Sequence, residues 1–150
     1  FDAVTLWWVL EHAHDPLAAL ENARRVLRPG GMLVVSLQNF DSLGRRLFGA
    51  AWHHMDLPGH LYHFTPQTLT RLVERAGFRV DRLRQDLLAK DLAPSLGHWL
   101  GLRVSLDQAP LNLVALPFDL LGWVTRRAGL ITAYATRPLQ EEESRADERP

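Results

Sequence analysis

Two mostly apolar runs frame a helical pattern at the start of the chain. The runs are residues 1–7 and 32–37, and each is typical of a strand buried on both faces. Between them, Asp15-Pro16 predicts an N-cap and a first-turn proline. Apolar residues then recur at helical spacing until Pro29-Gly30-Gly31 ends the helix. The spacing predicts a right-handed parallel strand–helix–strand unit.

The later pattern predicts a second helix and two more strands. Thr65-Pro66 again gives a cap and a first-turn proline, and Gly77 suits the left-handed position at a helix end. Residues 78–83 are predicted as a strand whose Arg and Asp side chains suit a sheet edge. Residues 92–124 predict two helical segments that divide near Pro110. Residues 129–136 predict a last strand, and residues 139–150 a polar, disordered tail.

The segment of about residues 38–64 follows no period and mixes Gly, Pro, His and aromatic residues. It comes after the carboxyl end of a predicted parallel strand, which is where open α/β sheets bind ligands. Long ordered loops of this kind are usually functional. We therefore predict that this segment belongs to a ligand-binding site.

Composition narrows the class of protein. The chain has 150 residues, 47% of them apolar and 23% charged, which suits one globular domain. Lys plus Arg equals Asp plus Glu at 17 each, and this balance argues against a nucleic-acid partner. The chain has no Cys, which excludes thiol catalysis and Cys-based zinc sites. We predict a cytoplasmic location, which the lack of Cys permits.

Three motifs together resemble one known family. They are Trp7-Trp8-Val9-Leu10-Glu11-His12 with Asp15-Pro16, then Val26-Leu27-Arg28-Pro29-Gly30-Gly31, and finally the segment from Leu57 to Pro66 followed by Ala76-Gly77-Phe78. At these separations they resemble the second half of class I S-adenosylmethionine-dependent methyltransferases. The branch that they most resemble includes the ubiquinone-biosynthesis O-methyltransferases.

The resemblance implies a Rossmann-like α/β sheet between helical layers, with its last strand antiparallel. On the family's pattern the four predicted strands are the fourth to the seventh, and the helical segments of about residues 92–124 are an insertion before the last. Residues 1–138 are then the C-terminal portion of the domain. We expect the first strands, with the Gly-rich loop that grips S-adenosylmethionine, to lie outside this sequence.

The resemblance also implies roles for particular residues. His12 is the catalytic candidate, as a general base near the transferred methyl group. Leu6, Trp7 and Trp8 stand where the family contacts the cofactor. Trp7 and Trp8 should point to opposite faces if the chain stays extended. Candidates for acceptor binding come from the loop: Trp52, His60, Tyr62 and His63.

Structural roles compete with each assignment. His12 can instead pack on the following helix, with a hydrogen bond to Asp15. One of Trp7 and Trp8 can be ordinary core. Tyr62 and Phe64 can simply pin the loop to the sheet.

A metal site is not predicted. Some relatives carry Glu-x-x-Glu-His and are thought to use it for a divalent cation, but here Trp8 stands in place of the first Glu. The histidines of the loop are loosely spaced, and Asp56 is the acid near them. We therefore expect a structural role for Glu11.

We predict S-adenosylmethionine-dependent methyl transfer to a small-molecule acceptor, with O-methylation preferred. The alternative is a non-catalytic module of the same fold that binds a partner or a membrane surface. A nicotinamide-dependent oxidoreductase would want a Tyr-x-x-x-Lys pair, which the chain lacks. Residues 111–124 are the candidate membrane-surface contact. The whole helical segment of residues 92–124 can instead be a lid over the acceptor, a helix pair that covers the sheet or a homodimer contact.

Overall fold

A computed structural model describes residues 1–87, 92–101 and 109–139. Four strands form one mixed sheet in the order β1-β2-β4-β3. Strands β1 and β2 are parallel, and β4 runs antiparallel to both β2 and β3. The expected antiparallel last strand is therefore confirmed. Their bounds are Ala3–Trp7 for β1, Met32–Gln38 for β2, Arg79–Asp86 for β3 and Leu130–Thr136 for β4.

Within the described residues, five α-helices connect these strands. They are α1 at Pro16–Val26, α2 at Leu43–Phe48, α3 at Pro66–Arg75, α4 at Leu92–Trp99 and α5 at Ala109–Val124. Both predicted caps are present, because Asp15 accepts the N–H of Ala18 and Thr65 forms a reciprocal capping box with Thr68. Gly77 has the predicted positive φ, at 82°. The short helix α2 inside the loop was not predicted.

The core lies between the sheet and helices α1 and α3. Every second residue of β2 faces these helices, starting with Leu33, which is fully buried. Most of the remaining core members come from α1, α3 and β4, and the full set is Leu10, Leu20, Ala23, Leu27, Phe64, Leu69, Val73, Ala76, Phe78, Ile131, Ala133 and Ala135. Alternate residues of β2 on its other face, such as Ser36, are also buried. This packing makes β2 an inner strand, as its apolar run predicts.

Strand β1 differs from the prediction. It pairs with β2 alone and lies at an edge of the described sheet. Its residues alternate between exposed and half-buried, so the prediction of a strand buried on both faces is wrong for this structure. Strand β3 forms the opposite edge, as its charged residues indicate.

Helices α4 and α5 divide the predicted helical insertion in two and contact each other and α2. They precede β4, which begins opposite the carboxyl end of β2, where Gln38 pairs with Leu130. The predicted tail falls on residues 139–150, of which all but Leu139 lie outside the described residues. Among the helices that are described, none combines the length and apolar character that crossing a membrane requires.

Candidate active site

The chain turns sharply where β1 ends. Trp8 has a positive φ of 58°, and its N–H donates to the carbonyl of Ser36 at 3.0 Å. A single 3-10 turn, Leu10–His12, follows and leads to the Asp15 cap. Trp8 is not extended, so the condition under which Trp7 and Trp8 were expected to point to opposite faces is not met. The turn directs Glu11 inward, at 1% exposure, and leaves His12 exposed.

The loop after β2 folds back onto this 3-10 turn. The backbone carbonyl of Glu11 accepts the N–H groups of Leu61, at 2.8 Å, and Tyr62, at 3.2 Å. The Tyr62 hydroxyl donates to the carbonyl of His14 at 3.3 Å. Main-chain bonds therefore dock the loop against the end of β1, as the prediction of a shared site requires.

Backbone carbonyls determine the tautomers of two loop-facing imidazoles. Nδ1 of His12 lies 2.9 Å from the carbonyl of Gly59, and Nδ1 of His60 lies 2.8 Å from the carbonyl of His54. A carbonyl only accepts, so each Nδ1 carries the hydrogen and each neutral ring keeps its lone pair on Nε2. His12 is thus oriented by Gly59, whereas the carboxylate of Asp15 caps helix α1.

Glu11, His12 and His60 come together although 48 residues separate the last two. Each offers one possible ligand atom, and these atoms lie within 4.8 Å of one another. The rings of His12 and His60 have centroids 4.8 Å apart. Both carboxylate oxygens of Glu11 are buried without a hydrogen-bond partner. This arrangement of donors can hold a cation.

Other histidines of the loop are held in their neutral form. Burial, with the nearby His53 and His60, lowers the pKa of His54 to about 3. Burial also lowers the pKa of His53, and His98 contributes to that shift. His63 donates through Nε2 to the carbonyl of Met55 at 3.2 Å. His53 and His54 are therefore poor proton acceptors at neutral pH.

The predicted acceptor-binding residues divide between the interior and the surface of the loop. Trp52 is 1% exposed, and its indole packs edge-on against Phe40 and His54. His60 is also buried, at 6%. Tyr62 is 41% exposed and stacks on Phe64. The role of these residues in binding stays a prediction, and the structure shows Trp52 inside the loop.

The predicted cofactor-binding residues lie at the end of β1. Leu6 packs partly against the core. The indole of Trp7 is 52% exposed and that of Trp8 is 38% exposed. The Trp8 ring also lies 6.0 Å from that of His54, which connects it to the loop. Open aromatic surface therefore lies at the end of β1, and its contact with a cofactor stays a prediction.

Residues 1–83 match the family model of a methyltransferase domain. This match covers more than half of the chain. The chain belongs to the methyltransferase domain family. The family and the fold identify it with the class I S-adenosylmethionine-dependent methyltransferases, which confirms the resemblance seen in the motifs.

Individual relatives of this chain are also methyltransferases. It is 38% identical over 89 residues to a ubiquinone biosynthesis O-methyltransferase of Cereibacter sphaeroides, a match that covers 55% of the chain and 36% of that protein. It is 32% identical over 114 residues to the Psychrobacter arcticus protein of the same name, a match that covers 71% of the chain and 43% of that protein. The chain thus spans less than half of these relatives.

Solved structures share the fold at lower sequence identity. A SAM-dependent methyltransferase from Thermotoga maritima superposes with a TM-score of 0.60 at 19% identity, covering 91% of this chain and 56% of that one. A second, from Methanosarcina mazei, gives 0.55 at 17% identity, covering 93% and 60%. These likenesses confirm the Rossmann-like fold class.

One feature of the site was missed from the sequence. Glu11 and His60 come together because the loop docks on the 3-10 turn. The spacing of the sequence motifs does not predict this contact.

Proposed function

We propose that the protein containing this chain transfers a methyl group from S-adenosylmethionine to a hydroxyl of a small-molecule acceptor, in the cytoplasm. The cofactor supplies an activated methyl group on a sulfonium centre. The chain's own residues must then align the acceptor and take up its proton. The observation that carries the proposal is the Nδ1 hydrogen bond from His12 to Gly59. It leaves the Nε2 lone pair of an exposed imidazole at the end of β1.

His12 is proposed as the catalytic residue. An uncoordinated imidazole has a reference pKa of about 6.5, while that of a phenol is about 10, so a positioned His can accept the phenol's proton as the methyl bond forms. Since burial lowers the pKa values of His53 and His54, His12 is better suited than either of them.

The other predicted site residues are assigned to binding. Leu6, Trp7 and Trp8 are proposed to contact the cofactor, since both tryptophans present open surface at the end of β1. Tyr62 and His63 are proposed to contact the acceptor, with His60 behind them. Trp52 is proposed to support acceptor binding indirectly, because it packs inside the loop that carries these residues. O-methylation is the reaction favoured by the names of the relatives from Cereibacter and Psychrobacter.

A comparison of two histidine variants tests this proposal. In the full-length protein, His12→Gln should lower kcat for phenolic acceptors by about 10²–10⁴-fold. Its affinity for S-adenosylmethionine, measured by calorimetry, should stay unchanged. His14→Gln is the matched control, because His14 is exposed and only its backbone carbonyl takes part in a described hydrogen bond. Equal activity of the two variants would remove His12 from the mechanism.

A second candidate role rests on the apolar surface of α5. Six apolar residues of its described part are exposed by 39–70%: Leu116, Phe118, Leu120, Leu121, Trp123 and Val124. A contact of residues 111–124 with a membrane surface, or a homodimer through the same face, is proposed for this surface. Such a contact is compatible with catalysis and also with a non-catalytic binding module.

A further inference from the structure

The guanidinium of Arg45 lies over an aromatic ring at the start of the loop. Its central carbon is 4.6 Å from the centroid of the Phe40 ring. The side chain is half-buried, and its Nε is buried without a hydrogen-bond partner. The face of an aromatic ring replaces only part of the hydration that a buried cation loses. Arg45 therefore keeps N–H donors that an anion can engage.

No carboxylate of the described residues pairs with Arg45. The acid nearest to it along the chain, Asp41, accepts hydrogen bonds from Nε and Nη2 of Arg46 at 3.1 and 2.6 Å. The acid that follows in the loop, Asp56, lies 3.9 Å from Nε2 of His60. Two neighbouring arginines of α2 thus differ, because Arg46 has an acid of the chain as its partner and Arg45 does not.

Helix α2 holds Arg45 on the side that points away from α5. The Cβ of Leu43 lies 3.6 Å from the position that a Cβ on Gly122 of α5 would take. Because a helix turns by about 100° per residue, Arg45 projects to the opposite side, where the Phe40 ring lies. Its backbone N–H donates to the hydroxyl of the Ser42 cap at 3.1 Å. The position of the guanidinium is therefore fixed at the loop.

A row of ring contacts connects Arg45 with the proposed base. The ring of Phe40 is 4.9 Å from that of His63, between centroids, and His63 is 6.1 Å from His60. The ring of His60 in turn lies 4.8 Å from that of His12. The row has a cation at one end and an exposed imidazole at the other, and its two middle histidines are among the proposed acceptor contacts.

We propose that Arg45 binds a carboxylate of the acceptor while the hydroxyl of the acceptor lies at His12. This inference rests on the proposed function, which gives His12 the hydroxyl. A guanidinium matches a carboxylate with two parallel N–H donors. The carboxylate of Glu11 is buried next to His12 and repels an acid at that end of the row. The acceptor class is therefore a phenol with an acid on a side chain, bound in one orientation.

Binding of paired phenols to the full-length protein tests this assignment. The probes are para-hydroxyphenyl alkanoates of increasing chain length and their primary amides, which remove the charge and keep the shape. Calorimetric titration with S-adenosylhomocysteine present avoids turnover. The acid whose length fits the row should bind about tenfold more tightly than its amide. Arg45→Gln should remove this preference, and Arg45→Lys should keep part of it, because the charge stays and the fork of donors is lost.

Arg46→Gln is the matched control, because Arg46 is the neighbouring arginine and is already paired with Asp41. It should leave the preference for the acid unchanged. The inference is wrong if no acid binds more tightly than its amide, or if Arg45→Gln keeps the preference. Thermal unfolding shows whether each variant is folded. Where Arg45→Gln is not folded, an undiminished preference in Arg45→Lys overturns the inference.

Failure of this inference can be told apart from failure of the proposed function. The titrations measure binding without methyl transfer, whereas the proposed function is read from kcat in His12→Gln. In turnover of the preferred acid, Arg45→Gln should raise KM and leave kcat nearly unchanged. A loss of kcat in His12→Gln without any preference for the acid would overturn the role of Arg45 alone.

Discussion

Hydrogen bonds to single backbone carbonyls determine which ring nitrogen of each histidine in the site carries the hydrogen. Gly59 and His54 orient His12 and His60 so that Nε2 is left with the lone pair, whereas Met55 binds Nε2 of His63 and leaves Nδ1. The residue types were predictable from the sequence, because His12 and His60 stand out in their motifs. Their tautomers were not, since the accepting carbonyls come from loop residues whose positions no periodic pattern specifies.

His54 should make the protein sensitive to acid. Its pKa is lowered to about 3 by burial and by His53 and His60, whereas in the unfolded chain it returns to about 6.5. As the pH falls below about 6.5, His54 becomes protonated in the unfolded state but stays neutral in the folded state, so the free energy of unfolding falls. Between about pH 6.5 and pH 5 the loss should approach about 2 kcal/mol.

Urea unfolding at about pH 7.5 and about pH 5 measures this loss. His54→Gln should lose less stability than the unmodified protein over this interval, because the variant has no group to titrate there. His14→Gln should lose as much as the unmodified protein. Equal losses in all three proteins would contradict a role for His54 in acid sensitivity.

At the scale of elements, caps and periodic helices were predictable and the loop was not. Asp15-Pro16 and Thr65-Pro66 encode the starts of α1 and α3 locally. Helix α2 is six residues long, too short to show a period, and its start depends on Ser42 accepting the N–H of Arg45. The exposure of β1 could not be predicted from its apolar run, because such a run does not reveal how many neighbours a strand has.

Asn39 should be the most sensitive position at the junction of β2, the loop and β4. It is fully buried, its Nδ2 donates to the carbonyl of Ala128 at 2.9 Å, and its Oδ1 accepts the N–H of Asp41 at 2.9 Å. Asn39→Ala leaves a buried carbonyl without its donor, so it should cost about 2 kcal/mol in the free energy of unfolding. Urea denaturation measures this cost.

The matched control for Asn39 is Gln67→Ala on the exposed side of α3, which should change stability by less than about 0.5 kcal/mol. Hydrogen exchange adds a local measurement. In Asn39→Ala the amide of Asp41 should exchange faster, while amides of α3 should not. A stability unchanged by Asn39→Ala would show that the loop is anchored elsewhere.

At the scale of the whole molecule, apolar surface is concentrated on one helix pair. Trp99 on α4 is 65% exposed, and Trp123 and Val124 near the end of α5 are 53% and 70% exposed. Arg126 comes two positions after Val124 and is also exposed. Aromatic residues beside a cation suit the boundary between water and lipid headgroups. Since α5 also contacts α2 of the loop, a membrane contact there would lie close to the candidate site.

This face should bind vesicles that contain anionic lipid, and the binding should weaken as salt is added. In flotation of the full-length protein, Trp123→Glu should reduce the bound fraction, because a carboxylate would have to approach an anionic, apolar surface. Val26→Glu is the matched control, since Val26 is a 50% exposed apolar residue on α1, far from α5 in the chain. If Trp123→Glu instead abolishes a concentration-dependent dimer and leaves flotation unchanged, the face joins two copies of the protein. Equal flotation of both variants without any dimer would exclude α5 as the contact surface.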